Sequence, residues 1–149
     1  MTLGHRELAP ILALLRIGHR MNAPIAAALG RTDQLVGLLR TAPADEIQNA
    51  LGMAVINGQT DAAHLTLAAG ADPNRFLPVH THSLPLHQAV LDENLELMEL
   101  LVARGARTDI ADKLWDGTPL DWAIHLTKDR ARAWLERLGR PHREQLQVD

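Results

Sequence analysis

Histidine is the residue type in this sequence best placed to do chemistry. His80, His82 and His87 lie within eight residues of one another. An H-x-H pair in an extended loop can bring two imidazoles to one zinc ion, and a carboxylate can complete such a site. The sequence therefore leaves open a metal-binding protein or a metal-dependent hydrolase that uses His80 and His82, with a third ligand from one of three acids: Asp72, Asp109 or Asp112.

The sequence contains no other arrangement typical of catalysis. It has no cysteine, which excludes a thiol nucleophile, a thiolate zinc site and disulfides. It also has no Gly-rich phosphate loop, no H-E-x-x-H motif and no nucleophile elbow. The acids at 92–99 have helical spacing, which is typical of a solvated helix face. We therefore predict that the protein is not an enzyme and needs no cofactor.

Composition restricts both the fold and the class of partner. The 15 Lys and Arg residues are outnumbered by 18 acids, whereas a general nucleic-acid binder needs an excess of cations on one face. No segment approaches the roughly 18 apolar residues that span a bilayer. We predict no nucleic-acid or membrane partner and a cytoplasmic location. With 46% hydrophobic but only 3% aromatic residues, the core must consist largely of Leu, Ala, Ile and Val, which favours packed helices in one domain.

Internal repeats organise most of the chain. Three segments align without gaps from Leu51, Leu86 and Leu120, which are offset by 35 and then 34 residues. Each leucine is predicted to begin a helix, and a second apolar helix follows at a fixed distance. A glycine nineteen residues after each leucine is placed to end that second helix in the left-handed conformation: Gly70, Gly105 and Gly139. A weaker unit precedes these three at residues 24–39.

The motifs within these units resemble those of the ankyrin-repeat family. The family's Thr-Pro-Leu-His-x-Ala opening appears as Leu84-Pro-Leu-His-Gln-Ala89 and again as Thr118-Pro-Leu-Asp-Trp-Ala123. Its Gly-Ala-Asp-x-Asn ending appears within Leu67-Ala-Ala-Gly-Ala-Asp-Pro-Asn74. The resemblance assigns His87 to the opening motif, where the imidazole bonds loop backbone. The run from Asn74 to Ala89 is similar to that of small stand-alone bacterial members of the family.

The resemblance implies an all-α solenoid of stacked antiparallel helix pairs with projecting β-turn fingers. Neighbouring pairs must stack because one pair cannot bury its own apolar stripe. We expect a single domain over residues 1–149, with a truncated capping helix in residues 1–21 and a polar tail at 140–149. About four repeats are predicted between them, at residues 22–50, 51–85, 86–119 and 120–139.

The same resemblance implies protein binding, because ankyrin arrays recognise proteins through the fingers and the concave face of the first helices. Four large side chains just before the inter-helix turns would form an apolar ladder across that face: Leu29, Ile56, Leu91 and Leu126. Three polar neighbours would lie beside the ladder: Asn57, Asp92 and His125. An exposed apolar patch of this kind marks an interaction site. Alternatively, one or more of these side chains turns inward and extends the core.

The predicted fingers add aromatic candidates. One finger carries Phe76, the only phenylalanine, and the next carries Trp115. Aromatic residues on projecting loops are favoured anchors of interfaces. The alternative is that Phe76 and Trp115 pack against each other or against the neighbouring finger. The fingers and the helix that follows them add six side chains to the predicted surface: Phe76, His80, His82, Lys113, Trp115 and Trp122.

These observations favour an adaptor or an inhibitor-type module that recognises an unidentified protein. We expect a monomer or a weak homodimer. Two alternatives stay open at this point. One is the metal site at His80 and His82, and the other is a self-associating module in which the apolar ladder closes a homodimer.

Overall fold

The computed structural model describes residues 8–16, 18 and 20–139, so the predicted tail at 140–149 and the first residues of the predicted cap lie outside it. Over this part of the chain there are nine α-helices and no β-strand, which confirms the all-α prediction. None of these helices is both long enough and apolar enough to cross a membrane. The helices are α1 (Leu8–Arg16), α2 (Ala23–Leu29), α3 (Thr32–Leu39), α4 (Ala44–Ile56), α5 (Thr60–Ala68), α6 (Pro85–Leu91), α7 (Leu95–Ala103), α8 (Pro119–His125) and α9 (Asp129–Leu138).

Helices α2 to α9 form four consecutive pairs that stack into a solenoid. Within the pairs, α2 packs on α3, α4 on α5, α6 on α7 and α8 on α9. Between pairs, α2, α4, α6 and α8 form an inner layer, and α3, α5, α7 and α9 form an outer layer. Helix α1 packs against α2 at the beginning of the array. The predicted ankyrin-type stack of helix pairs, preceded by a short capping helix, is confirmed.

One apolar core runs between the two layers. The repeat leucines Leu51 and Leu86 are 0% and 1% exposed, as predicted, and Leu120 is half-buried against the same core. Full burial of a leucine side chain contributes about 1.5–3 kcal/mol, so Leu51 and Leu86 each stabilise the stack by an amount of this order. A second, smaller cluster joins α1 to α2 through Ile11 and Ile25.

The turn between the two helices of each pair contains one residue with positive φ. These residues are Gly30 (71°), Gly58 (67°), Glu93 (50°) and Thr127 (57°). A side chain is uncommon in this conformation. Glu93 makes two compensating hydrogen bonds, because its carboxylate accepts the backbone N–H groups of Arg130 at 3.0 Å and Ala131 at 3.3 Å. It thereby ties the third pair to the start of α9.

One helix start and one glycine conformation predicted from the repeat pattern are wrong. Helix α4 begins at Ala44 and not at Leu51, so Leu51 lies well inside it. The preceding segment extends the helix because Asp45 and Glu46 occupy its first turn, where acids interact favourably with the helix dipole. Gly139 has φ −77° and remains in the right-handed region. Gly70 and Gly105 have the left-handed φ that the pattern predicts.

The long finger between α5 and α6 folds back onto α4. Leu77 is 2% exposed, and its N–H donates to the carbonyl of Ser83 at 2.9 Å. The adjacent Pro78 packs directly on Gly52 in α4, so closely that a Cβ at residue 52 would clash with the proline Cδ. Glycine is therefore required at this point of the helix, although it lowers helix propensity. This finger covers part of α4 and does not simply project into solvent.

Candidate functional site

Asp112 anchors the second finger. It is 2% exposed, and its carboxylate accepts the N–H groups of Leu114 (2.9 Å), Trp115 (2.7 Å) and Gly117 (2.7 Å). It also accepts the indole Nε1–H of Trp122 in α8 at 3.1 Å. We call residues 112–117 the fingertip. One buried carboxylate thus holds the fingertip turn and joins it to the last inner helix.

The electrostatics of Asp112 follow from these bonds. Burial by itself raises the pKa of the carboxyl, but the hydrogen bonds from Trp115, Trp122, Gly117 and Leu114 outweigh it and lower the pKa to about 2. The group is therefore ionised at neutral pH. Nδ1 of His82 lies 3.8 Å from this carboxylate, and this nitrogen is buried and has no hydrogen-bond partner among the described residues.

His87 joins the two fingers from below. It is fully buried, its Nδ1 accepts the N–H of Leu84 at 3.1 Å, and its Nε2–H donates to the carbonyl of Gly117 at 2.9 Å. This pattern requires the neutral imidazole with its proton on Nε2. Burial lowers the pKa of His87, which also favours the neutral form. The structural role that the opening motif implies for His87 is confirmed.

An aromatic cluster lies above this frame. Trp115 packs edge to face against Trp122, with centroids 5.7 Å apart, and against His82, with centroids 5.2 Å apart. Even so, Trp115 remains 67% exposed. Phe76 is not part of this cluster. Its ring instead packs against Lys113, whose Nζ lies 4.1 Å from the ring centroid. Each aromatic residue therefore contacts the neighbouring finger or helix, as the alternative interpretation expected, but Phe76 and Trp115 have different partners.

The fingertip and the inner helices α6 and α8 enclose an open groove of about 610 Å³. Many of the side chains predicted for the partner surface line it: His80, His82, Leu91, Trp115, Trp122, His125 and Leu126. The structure thus brings residues of both fingers together with residues of two helices. His80 is itself a turn residue with φ 59°, and its carbonyl accepts the N–H of Ser83 at 3.1 Å.

The predicted apolar ladder is interrupted in its first half. Ile56 is 1% exposed and Asn57 is 7% exposed, so neither belongs to an open surface. Both residues are buried because α4 is packed between α2 and α6. Asn57 turns its amide back to the carbonyl of Met53 at 2.9 Å, and its Oδ1 is buried with no partner among the described residues. Leu29 is half-buried against the cluster that joins α1 to α2.

Two further predicted side chains lie outside the groove lining. Asp92 is half-buried, and it accepts a 3.4 Å hydrogen bond from Nε2 of Gln88. Burial raises the pKa of Asp92. Lys113 is held over Phe76 by a cation–π contact, which is worth about 0.5–1 kcal/mol at an exposed site. Asp92 thus lies at the C-terminal end of α6 and Lys113 joins the two fingers, and neither side chain lines the groove.

The metal-binding alternative gains no support from this geometry. Within the described ranges, no three His, Asp or Glu side chains are grouped so that they could hold a metal ion. Both nitrogens of His87 are bonded to backbone. The oxygens of Asp112 already accept four N–H donors, which leaves this carboxylate a poor metal ligand.

Sequence reasoning missed the acidic residues of the groove. Asp116 and Asp121 both line it, and neither was among the predicted contacts. A local signal was present for Asp121, because Thr118 and Asp121 form a capping box, with bonds of 2.9 and 3.2 Å. Asp112 was considered only as a metal ligand, since its four hydrogen bonds depend on a turn that the sequence does not reveal.

Comparison with known proteins agrees with this architecture. The ankyrin repeat family model matches residues 82–113. The chain is 35% identical over 102 residues to cyclin-dependent kinase inhibitor 2A of Monodelphis domestica, covering 66% of this chain and 58% of that protein. It is 33% identical over 105 residues to the Homo sapiens protein of the same name, covering 68% and 66% of the two chains. The chain thus spans less than two thirds of these two relatives.

A third relative is matched over more of its length. Cyclin-dependent kinase 4 inhibitor B of Mus musculus is 32% identical over 102 residues, which cover 66% of this chain and 77% of that protein. This match is longer than the segment at residues 82–113 that the family model covers. The opening motifs at α6 and α8, the stacked helix pairs and these relatives lead to one conclusion: the chain belongs to the ankyrin-repeat family.

Proposed function

We propose that this chain is a protein-binding module, of adaptor or inhibitor type, which holds its partner in the groove between the fingertip and helices α6 and α8. The observation that carries the proposal is the state of Trp115. Its backbone N–H is bonded to Asp112 at 2.7 Å and its ring is packed against Trp122, yet 67% of the residue is exposed. A large aromatic residue that is both rigid and exposed is typical of an interface anchor.

The energetics favour partner binding at this place. Covering a tryptophan that is 67% exposed removes on the order of 100–150 Å² from water, worth about 3 kcal/mol. Because the indole is already held in one orientation, little side-chain entropy is lost when it becomes covered. Leu126, which is 39% exposed in the same groove, adds a second apolar contact.

A protein kinase is the first partner class to test. Three relatives are named as cyclin-dependent kinase inhibitors, which supports an inhibitor that acts by occupying a kinase surface. Binding of this kind needs no catalytic residue in the chain. The cytoplasmic location, the oligomeric state (a monomer or a weak homodimer) and the absence of enzymatic activity stay predictions.

The decisive experiment compares two aspartate substitutions at equally exposed apolar positions. Leu126→Asp changes the groove, whereas Val36→Asp changes the outer helix α3, where the residue is 41% exposed. Calorimetry measures binding to the parent chain and to both variants. The binding partners are proteins that the parent chain captures from its host and purified cyclin-dependent kinase 4. We expect Leu126→Asp to weaken binding by about tenfold or more, because an unpaired charge is then placed against an apolar contact.

Val36→Asp should bind like the parent, and circular dichroism should show both variants folded. Unchanged partner binding by folded Leu126→Asp would place the interface elsewhere on the molecule. Binding to other captured proteins but not to the kinase would make the kinase proposal wrong, and the binding module would remain.

A further inference from the structure

The groove combines aromatic faces with negative charge. Asp116 and Asp121 line it, and the ionised carboxylate of Asp112 lies beneath the fingertip. No Lys or Arg is among the lining residues that the structure describes. At neutral pH the groove is therefore complementary to a positively charged group.

The same fingers already contain a cation–π pair. Nζ of Lys113 lies 4.1 Å from the centroid of Phe76, and this lysine is thereby directed to the neighbouring finger. No corresponding cation lies over Trp115 or Trp122 among the described residues. Indole is the ring that binds cations best. The exposed surface of Trp115 thus offers the stronger site without a cation from this chain.

We propose that the groove takes an arginine side chain of the partner, stacked on Trp115 with its N–H groups toward Asp116 and Asp121. An apolar residue next to that arginine would pack on Leu91 and Leu126. The inference rests on the proposed function, because it assumes that the groove is a protein-binding site. Arginine fits better than lysine, since its planar guanidinium can stack on an aromatic ring and donate to carboxylates at the same time.

The test begins with short random peptides displayed on phage and selected on the intact chain. Peptides that also bind Trp115→Ala are removed by counter-selection. We expect the remaining peptides to share one arginine next to an apolar residue. Replacing that arginine by the neutral, similarly shaped citrulline in a synthetic peptide should weaken binding by about tenfold, and added salt should weaken the parent peptide more than the citrulline peptide.

Charge-matched variants of the protein identify the acid that contributes. Asp116→Asn removes a charge from the groove, and asparagine tolerates the φ of 55° found there. Asp33→Asn removes the same charge from the exposed first turn of α3 and serves as the control. We expect Asp116→Asn to weaken the arginine peptide by roughly three- to tenfold, as for a desolvated charge pair. Asp33→Asn should leave its affinity unchanged.

Three outcomes would overturn the inference. Selected peptides that lack arginine but lose binding to Leu126→Asp would show that the groove binds purely apolar segments, and the proposed function would stand. Failure to select any peptide that depends on Trp115 or Leu126 would count against both proposals. A concentration-dependent dimer in sedimentation, abolished by Trp115→Ala, would make a second copy of this chain the occupant.

Discussion

The same repeat position is buried at one end of the inner layer and open to solvent at the other. The residue two places before the positive-φ residue of the inter-helix turn is Ala28 in the first pair and Ile56 in the second, and these are 0% and 1% exposed. In the third pair it is Leu91, which is half-buried, and in the fourth it is His125, which is exposed. In a solenoid, a repeat position determines where a side chain lies, but neighbouring segments determine whether it meets water.

We call the first two helix pairs the closed end and the last two pairs the open end. These two ends also hold their helices together by different means. The closed end uses small residues such as Ala26, Ala27 and Gly52, which allow helices and the long finger to approach closely. The open end uses buried polar groups, Asp112 and His87, to position large rings. We therefore expect the closed end to respond mainly to changes of volume and the open end to changes of charge.

The largest effect should come from truncating Ile56, the large side chain that is buried at this repeat position. Ile56→Ala should lower the free energy of unfolding by about 2–5 kcal/mol, because it leaves a cavity in a packed core. Leu126→Ala, at a residue 39% exposed, should lower it by less than about 1 kcal/mol. Urea denaturation of both variants measures the difference. Equal losses would mean that the two ends are equally packed, which contradicts the comparison.

Removing the charge that holds the fingertip should have the next largest effect. Asp112→Asn places an amide N–H₂ group against N–H donors, and we expect a loss of about 2–3 kcal/mol at neutral pH. Asp33→Asn, at an exposed position, controls for the change in net charge. Loss of the tryptophan fluorescence signal characteristic of the packed rings should accompany the lower stability.

The effect of Asp112 should depend on pH in a defined direction. Its pKa falls from an ordinary 3.8 to about 2 on folding, so the stabilisation is complete above pH 3.8 and is lost as the pH falls through about 2. The difference in unfolding free energy between the parent and Asp112→Asn should therefore be constant near neutrality and shrink in this acid range. A difference that does not depend on pH would show that the carboxylate charge does not stabilise the fold.

The smallest effects should come from adding one methyl group to glycines in two helices. Gly52→Ala would meet the ring of Pro78 and should destabilise the protein by about 1–2 kcal/mol. Gly37→Ala lies inside α3 with nothing within 4 Å, and it should stabilise the protein by about 0.5–1 kcal/mol through helix propensity. Thermal denaturation compares them directly. A stabilising Gly52→Ala would show that the long finger is not packed tightly on α4.

The parts of the fold that were predicted correctly depend on local chemistry. Helices α6 and α8 begin at Pro85 and Pro119, one residue before the predicted leucines, because proline is pre-organised for the first turn of a helix. The start of α4 was predicted wrongly at Leu51, since the repeat register there competes with a segment that also forms helix. Local patterns thus identified the elements better than their exact limits.

The candidate site could be predicted only in part. Leu91, Leu126 and Trp115 do line one groove, because the repeat places them on the inner layer and on the adjacent fingertip. Ile56 was assigned to the same surface by the same argument and is buried. The difference arises from packing between helices that are distant in sequence, to which periodicity is insensitive.

By itself, the sequence determined the helix pairs, their stacking and the identity of the core leucines, since these follow from apolar periodicity, glycine positions and capping motifs within each repeat. Only the tertiary structure decided which concave positions remain open and which acids face the groove. Those properties depend on the path of the long finger over Gly52 and on the four hydrogen bonds that converge on Asp112. Both arise from contacts between separate segments, whose energies are set by three-dimensional proximity and not by spacing along the chain.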